Sequence, residues 1–264
     1  MTGFKKKKRF GQHFLKDKEL LNMISGYGGL DASSLCLEIG PGRGALTIPL
    51  LKTGAKVVAV EIDQSLEPRL QDIKRKHKNF DFCMADILTV DLYQLLGGAQ
   101  RFTLVSNLPY EISTPLIFYM ASYLDHLQMM VLLLQKEVVM RMAASVGTAE
   151  YGRLSVMSQI YFEVTPLIEV PPEAFSPPPS VWSQVVVCKP IKVEVSDIDS
   201  FSEFVRYMFT HRRKMVRQRL KDFLTEDDYS TLGLNSDARP QDISVTDYIR
   251  VFECLVQKGA GLPK

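Results

Sequence analysis

Short apolar runs rich in β-branched residues recur through the first half of the chain, most of them separated by stretches of helical spacing. This alternation limits the fold more than any other feature. The runs are Leu35 to Ile39, Val57 to Ile62, Phe80 to Ala85, Phe102 to Ser106 and Met129 to Leu134. Helical spacing follows the first run as far as about Leu51, then fills Gln64 to Lys76 with a charged outer face, and returns at Pro115 to Tyr123. Strands alternating with helices of this length predict βαβ units and a parallel sheet. The pattern then changes. Tyr161 to Val170 and Val181 to Cys188 read as strands joined through Pro171-Pro172 and Pro177-Pro178-Pro179, with no helix between them, which predicts an antiparallel edge pair. Beyond Pro190 and an acidic linker at Asp197 and Asp199, helices are expected near 200–211, 212–224, 226–231 and 244–257, with Arg239-Pro240 as a break. The expected organisation is an α/β domain over 1–190 and a smaller α-helical domain over 191–264.

Hydrophobic residues make up 46% and charged residues 23% of the chain, a globular balance that excludes disordered, collagen-like and coiled-coil classes. The longest apolar run, Met129 to Leu134, is far short of the roughly 20 residues that cross a bilayer. No apolar stretch follows the basic N-terminus, and Asp17 and Glu19 interrupt it too early for a transit peptide, so a cytoplasmic protein without a membrane partner is expected. Cys36, Cys83, Cys188 and Cys254 form no C-x-x-C, and His13, His77, His126 and His211 show no H-x-x-x-H spacing, so no metal site is expected.

Net charge is only +2, but it is unevenly placed. Lys5 to Lys8, Arg9, Lys16 and Lys18 face a single acid, Asp17, within residues 1–18. Residues 206–221 carry Arg206, Arg212, Arg213, Lys214, Arg217, Arg219 and Lys221. Two basic blocks on a nearly neutral chain point to a polyanion. The second is expected on a helix with a broad basic face, Met215, Val216 and Leu220 packing inward.

Glu38-Ile39-Gly40-Pro41-Gly42-Arg43-Gly44 closes the first run and opens a helix. Glycines let the backbone turn tightly and approach a ligand without a Cβ in the way. Gly40-x-Gly42-x-x-Ala45 also satisfies the dinucleotide fingerprint, a weak signal alone. With Glu38 before it and Gly44 after it, the loop resembles that of S-adenosylmethionine-dependent methyltransferases. Glu61 ends the second run, where a carboxylate can accept from ribose hydroxyls. Asp86 follows the third, placed for an adenine amino group, and Asn107 ends the fourth. Open α/β sheets bind ligands at this end of their strands.

Asn107-Leu108-Pro109-Tyr110 completes the pattern. The chain resembles the adenine-N6 methyltransferases of RNA, and most closely the KsgA family of small-subunit ribosomal RNA dimethyladenosine transferases. The resemblance runs through Phe10-Gly11-Gln12-His13-Phe14-Leu15, the Glu38 loop, Leu134-Gln135-Lys136-Glu137-Val138, Tyr151-Gly152-Arg153-Leu154-Ser155-Val156, Phe175-Ser176-Pro177-Pro178-Pro179-Ser180-Val181-Trp182-Ser183 and His211-Arg212-Arg213-Lys214. It implies a Rossmann-like class I methyltransferase sheet and N6,N6-dimethylation of two adjacent adenosines in small-subunit ribosomal RNA. It implies His13, Leu15, Gly40, Glu61, Asp86 and Asn107 as S-adenosylmethionine contacts, although many members have Asn where this chain has His13. The substrate is expected in a pre-ribosomal particle, the enzyme as a monomer, and Arg212, Arg213, Lys214 and Arg217 on the RNA.

The tetrapeptide suits this chemistry. An exocyclic adenine nitrogen is a poor nucleophile because its lone pair is delocalised into the ring. Accepting its two N–H groups, at the Asn107 oxygen and a backbone carbonyl of Leu108 or Pro109, draws it toward a tetrahedral shape. Tyr110 is expected to stack on one face of the base and Phe175 to cover the other. Three other readings share some of these features. A macrolide-resistance methyltransferase of large-subunit RNA has a similar loop and tetrapeptide, but the 134–138, 151–156 and triple-proline segments favour the small-subunit family. A non-catalytic assembly or transcription factor would not need an intact cofactor loop, and a nicotinamide oxidoreductase leaves the tetrapeptide unexplained.

Overall fold

A computed structural model describes residues 13–98, 101–192 and 194–259. The basic run Lys5 to Arg9 and the segment Phe10-Gly11-Gln12 lie outside them. In chain order the elements are β1 (Phe14–Leu15), α1 (Lys18–Tyr27), β2 (Leu35–Ile39), α2 (Thr47–Lys52), β3 (Lys56–Glu61), α3 (Glu67–Lys76), β4 (Phe80–Met84), α4 (Leu92–Leu95), β5 (Phe102–Asn107), α5 (Ser113–Ala121), β6 (Leu127–Gln135), α6 (Lys136–Met142), α7 (Arg153–Tyr161), β7 (Phe162–Val170), β8 (Phe175–Ser176), β9 (Ser183–Pro190), α8 (Ile198–Thr210), α9 (Val216–Leu220), α10 (Glu226–Leu232) and α11 (Val245–Gln257).

The main sheet has seven strands in the order β4-β3-β2-β5-β6-β9-β7. β2 pairs in parallel with both β3 and β5, and β5 in parallel with β6. All five residues of β2 are buried, as a central parallel strand requires. β9 pairs antiparallel with β6 and sits between it and β7, so the expected antiparallel edge is present. One face packs Val57, Ala59, Val105, Val131, Leu133 and Val185 against Leu21 and Ile24 of α1, Leu50 and Leu51 of α2, and Leu70 and Ile73 of α3. Asp17 starts α1 by accepting from the Glu19 and Leu20 amides. β1 and β8 form a separate two-stranded antiparallel pair, Phe14 opposite Ser176 and Leu15 opposite Phe175. Strands are added outward from β2 through β3 to β4, and then from β5 on the other side of β2, and such a switch point opens a crevice at the carboxyl ends of the strands.

The chain divides into two compact units: residues 1–139 with 164–190, and residues 140–163 with 191–264. The expected break near 190 is therefore joined by a second. Residues 140–163, expected in the N-terminal domain, pack with the helical unit instead. In that unit Phe201, Phe204, Val205 and Met208 of α8 and Tyr248, Val251, Phe252 and Leu255 of α11 are buried. Their spacing is that of a helix stripe facing a core. Tyr151, fully buried, donates to the Ile243 carbonyl at 3.0 Å, and the Phe201 and Phe252 rings meet edge to face at 5.4 Å.

The basic segment departs from expectation. No helix runs over 212–224; α8 ends at Thr210, a turn holds 211–214, and α9 spans only Val216–Leu220. The reason lies in its partners. The Arg212 guanidinium donates to Gln241 Oε1 at 2.8 Å and to the Thr148 and Ala149 carbonyls at 3.3 and 2.8 Å. The Val216 and Arg217 amides donate to the Ala238 and Ser236 carbonyls, which starts the helix there. Val216 and Leu220 are buried as expected, but so is Arg219, stacked 3.6 Å over the Tyr207 ring. Arg217 pairs with Asp237 at 2.9 Å. Arg213 and Lys214 are exposed and form no side-chain hydrogen bond or ion pair among the described residues. No helix among the described residues is long and apolar enough to cross a membrane, and none of their His, Cys, Asp and Glu side chains cluster as a metal site.

Candidate active site

A cavity of about 330 Å³ opens at the carboxyl ends of β2 to β5, lined by His13, Gly40, Gly42, Glu61, Asp86 and Asn107 among others. Five of the six residues expected on the cofactor, and Asn107 through Tyr110, thus meet in one place. Leu15 and Phe175 do not line it. They face each other across β1 and β8 at 3% and 1% exposure, inside the apolar core. Phe175 is therefore packed in the core and does not line the cavity, because β8 turns its ring inward.

The glycine loop is shaped by backbone conformation. Gly40, Gly42 and Gly44 have φ of +67°, +58° and +86°, a region costly for residues with a Cβ. A Cβ on Gly40 would meet only Pro109, at an ordinary 3.6 Å, so Gly40 is required for its conformation rather than for space. Gly42 and Gly44 are constrained both ways, since a Cβ there would lie 2.7 Å from the Phe14 ring and 2.4 Å from Ile73.

Glu61 sits beneath this loop at 3% exposure. Its two carboxylate oxygens accept from the Gly42 amide at 3.0 Å and the Asp63 amide at 2.9 Å. Burial pushes its pKa up against these bonds. Each oxygen keeps a further lone pair for a hydroxyl donor. Glu38 lies deeper, at 2% exposure, and its Oε2 has no hydrogen-bond partner. Burial raises it to about 8, the Thr47 hydroxyl opposing and the Glu61 charge adding to the rise. Asp86 is exposed and accepts from the Leu88 amide at 3.0 Å.

Asn107 donates through Nδ2 to the His13 carbonyl at 3.2 Å, which leaves Oδ1 as an acceptor in the cavity. Between the two candidate carbonyls the structure separates the roles. That of Pro109 accepts from the Ile112 amide at 3.2 Å and the Ser113 hydroxyl at 3.5 Å, closing the next turn. That of Leu108 has no partner among the described residues. Leu108 itself is anchored by its amide, which donates to Leu133. Tyr110 is held by its hydroxyl, 2.8 Å from that of Ser183, and burial raises its pKa. The His13 ring stacks on Tyr110 at 5.7 Å and its Nδ1 donates to the Pro177 carbonyl at 2.7 Å. Donation to a carbonyl fixes the proton on Nδ1.

Sequence reasoning missed Phe14, Ile62, Ile87, Glu111 and Ile112, which also line the cavity. Ile62 and Ile87 each follow a strand-end acid directly, and Ile62 stays 44% exposed. An isoleucine next to each acid was the available signal. Cavity size and apolar walls with a few polar groups suit a nucleoside-sized ligand. The donor set fits an adenosyl cofactor: a carboxylate for ribose, and Ile62, Ile87 and Pro109 for a flat ring.

Comparison with known proteins agrees with this geometry. Residues 3–257 match the family model described as ribosomal RNA adenine dimethylase. The chain is 40% identical over 259 residues to ribosomal RNA small subunit methyltransferase A of Shewanella loihica, covering 97% of this chain and 96% of that one. It is 43% identical over 248 residues to the protein of that name from Nitrosospira multiformis, covering 93% and 94%. Among solved structures, a dimethyladenosine transferase from Plasmodium falciparum shares the fold, with a TM-score of 0.80 and 24% identity over 95% of this chain and all of that one.

Proposed function

The chain belongs to the ribosomal RNA adenine dimethylase family, and on that premise we propose how its cavity works. It is an S-adenosylmethionine-dependent enzyme that dimethylates adenine N6 in small-subunit ribosomal RNA. The substrate is two adjacent adenosines in a pre-ribosomal particle, met in the cytoplasm. We propose that the enzyme acts as a monomer.

Within the cavity Glu61 accepts from the ribose hydroxyls. Ile62 and Ile87 flank the adenine, and Asp86 accepts from its amino group. Gly40 and Gly42 let the backbone lie against the rest of the cofactor, and His13 closes that side. The cofactor supplies a methyl group on a positively charged sulfur. The target adenine stacks on Tyr110, whose tilt is fixed between Ser183 and His13. In the first transfer Asn107 Oδ1 and the Leu108 carbonyl accept hydrogen bonds from the two N6–H groups and free the lone pair for attack. In the second, the one remaining N6–H donates to one of these acceptors. Proline after Leu108 restricts that residue to extended backbone, which aims its carbonyl. In-line positioning supplies most of the rate, and the methylated nitrogen sheds its proton to solvent. Arg213 and Lys214 contact phosphates, which position RNA without reading its sequence.

The observation that carries this reading is two open acceptors, Asn107 Oδ1 and the Leu108 carbonyl, at the rim of a cavity floored by Glu61. Methyl transfer from labelled cofactor onto unmodified small subunits, followed by nucleoside analysis, tests it. Dimethyladenosine in the RNA is expected with the natural chain. Asn107→Ala should keep RNA affinity and lose at least a hundredfold in single-turnover rate, because the contact matters where the nitrogen changes shape. A near-normal rate in that variant would remove Asn107 from the mechanism.

A further inference from the structure

Trp182 is the only tryptophan in the chain, and it is left 48% exposed, beside Val181 at 41%. Isolated exposed apolar residues are common and need no explanation. This one is different in where it stands and how it is held. β9 runs antiparallel to β6, and Ser183 pairs with Gln135, so the residue entering β9 lies at the sheet end where the cavity opens. The Trp182 carbonyl accepts from the Lys136 amide at 2.9 Å. Its neighbour Ser183 is fully buried and holds the Tyr110 hydroxyl at 2.8 Å. Three prolines, Pro177 to Pro179, restrict the approach to it. A large aromatic ring is thus presented to solvent from a fixed backbone, one residue from the group that positions Tyr110.

We propose that Trp182 is a second stacking platform, taking an unpaired base of the RNA next to the adenosine held on Tyr110. The proposal rests on the RNA reading above and adds a contact to it. Flipping a base into a pocket unstacks its neighbour, and an exposed aromatic ring can replace the lost stack. Such stacking is tolerant of base identity, so Trp182 would add affinity and register without selecting sequence. Val181 extends the apolar surface at the same edge.

The sole tryptophan is its own probe. Unmethylated small-subunit ribosomal RNA, transcribed in vitro and free of protein, is titrated into the chain while tryptophan emission and RNA affinity are followed. Emission should be quenched in step with binding. Trp182→Ala should bind the transcript roughly five- to a hundredfold more weakly. Trp182→Phe should recover most of that loss, and S-adenosylmethionine affinity, which checks folding, should match the natural chain in both variants. Unchanged emission at saturating RNA, no binding of the protein-free transcript by a chain that methylates particles, or equal RNA affinity of the natural and Trp182→Ala chains, would overturn the platform while leaving methylation intact. Failure of the natural chain to bind or methylate ribosomal RNA in any form would overturn the reading beneath it as well.

Discussion

At the scale of single residues, the site rests on acids whose environments differ. Glu61 touches two amides and the cavity, so Glu61→Ala should weaken S-adenosylmethionine binding at least tenfold by calorimetric titration, while RNA affinity stays unchanged. Removing a carboxylate from charge-assisted hydrogen bonds costs about 1.5–3 kcal/mol, which sets that magnitude. Glu38 gives a pH prediction. Its pKa rises from 4.5 to about 8 on folding, so its stabilising contribution is full below 4.5 and is lost as pH climbs toward 8. At roughly 1.4 kcal/mol per pH unit, the loss is several kcal/mol at most. Glu38→Gln carries no proton to lose, so its melting temperature should equal that of the natural chain near pH 4.5 and exceed it increasingly up to pH 8. A constant difference across that range would show that Glu38 is not protonated in the folded state. Glu61 was legible in the sequence by its place at a strand end, and Glu38 by its place ahead of the glycine loop. The raised pKa of Glu38 was not, because it follows from its burial in the packed core.

At the scale of elements, the strands that carry the site were readable because a buried parallel strand is apolar throughout. The runs at 35–39 and 80–85 stand within a residue of β2 and β4. Local reading misled at Phe175, where an aromatic in a proline-rich loop read as covering one face of the base and is instead packed in the core through β8. It also misled at 212–224, where charge density read as a helix face. Tertiary hydrogen bonds decided that segment, and no local pattern encodes a bond from Arg212 to Gln241 or to Thr148 and Ala149. The basic block therefore splits into two roles. Arg212→Ala removes three hydrogen bonds and should destabilise the protein by about 1–3 kcal/mol, lowering its melting temperature. Arg213→Ala with Lys214→Ala should leave melting unchanged and weaken RNA binding. Each lost phosphate contact should also flatten the salt dependence by about 0.7–0.9 log units per decade. A stable Arg212→Ala chain with weakened RNA binding would put Arg212 back on the substrate.

At the scale of the whole molecule, two units share one chain without being consecutive in it. A composition change marks the break at 190, which is why the sequence showed it. The excursion at 140–163 is not marked, since Tyr151, Val156, Met157 and Ile160 look like any apolar helix until their partners are known. Those partners come from beyond residue 190, Ile243 receiving the Tyr151 hydroxyl and Phe209 lying 6.4 Å from its ring. A chain ending at Pro190 would keep the whole cofactor cavity and expose these four buried side chains to water. Burial of each is worth about 1.5–3 kcal/mol, so their exposure removes an amount comparable to the 5–15 kcal/mol stability of a typical domain. The shortened chain should therefore aggregate or melt at least 10 °C lower, and hydrogen exchange should show residues 140–163 unprotected. Supplying residues 191–264 as a separate chain should restore protection to 140–163 first, before any change at the glycine loop. A soluble 1–190 chain with full protection over 140–163 would instead make that segment part of the N-terminal fold.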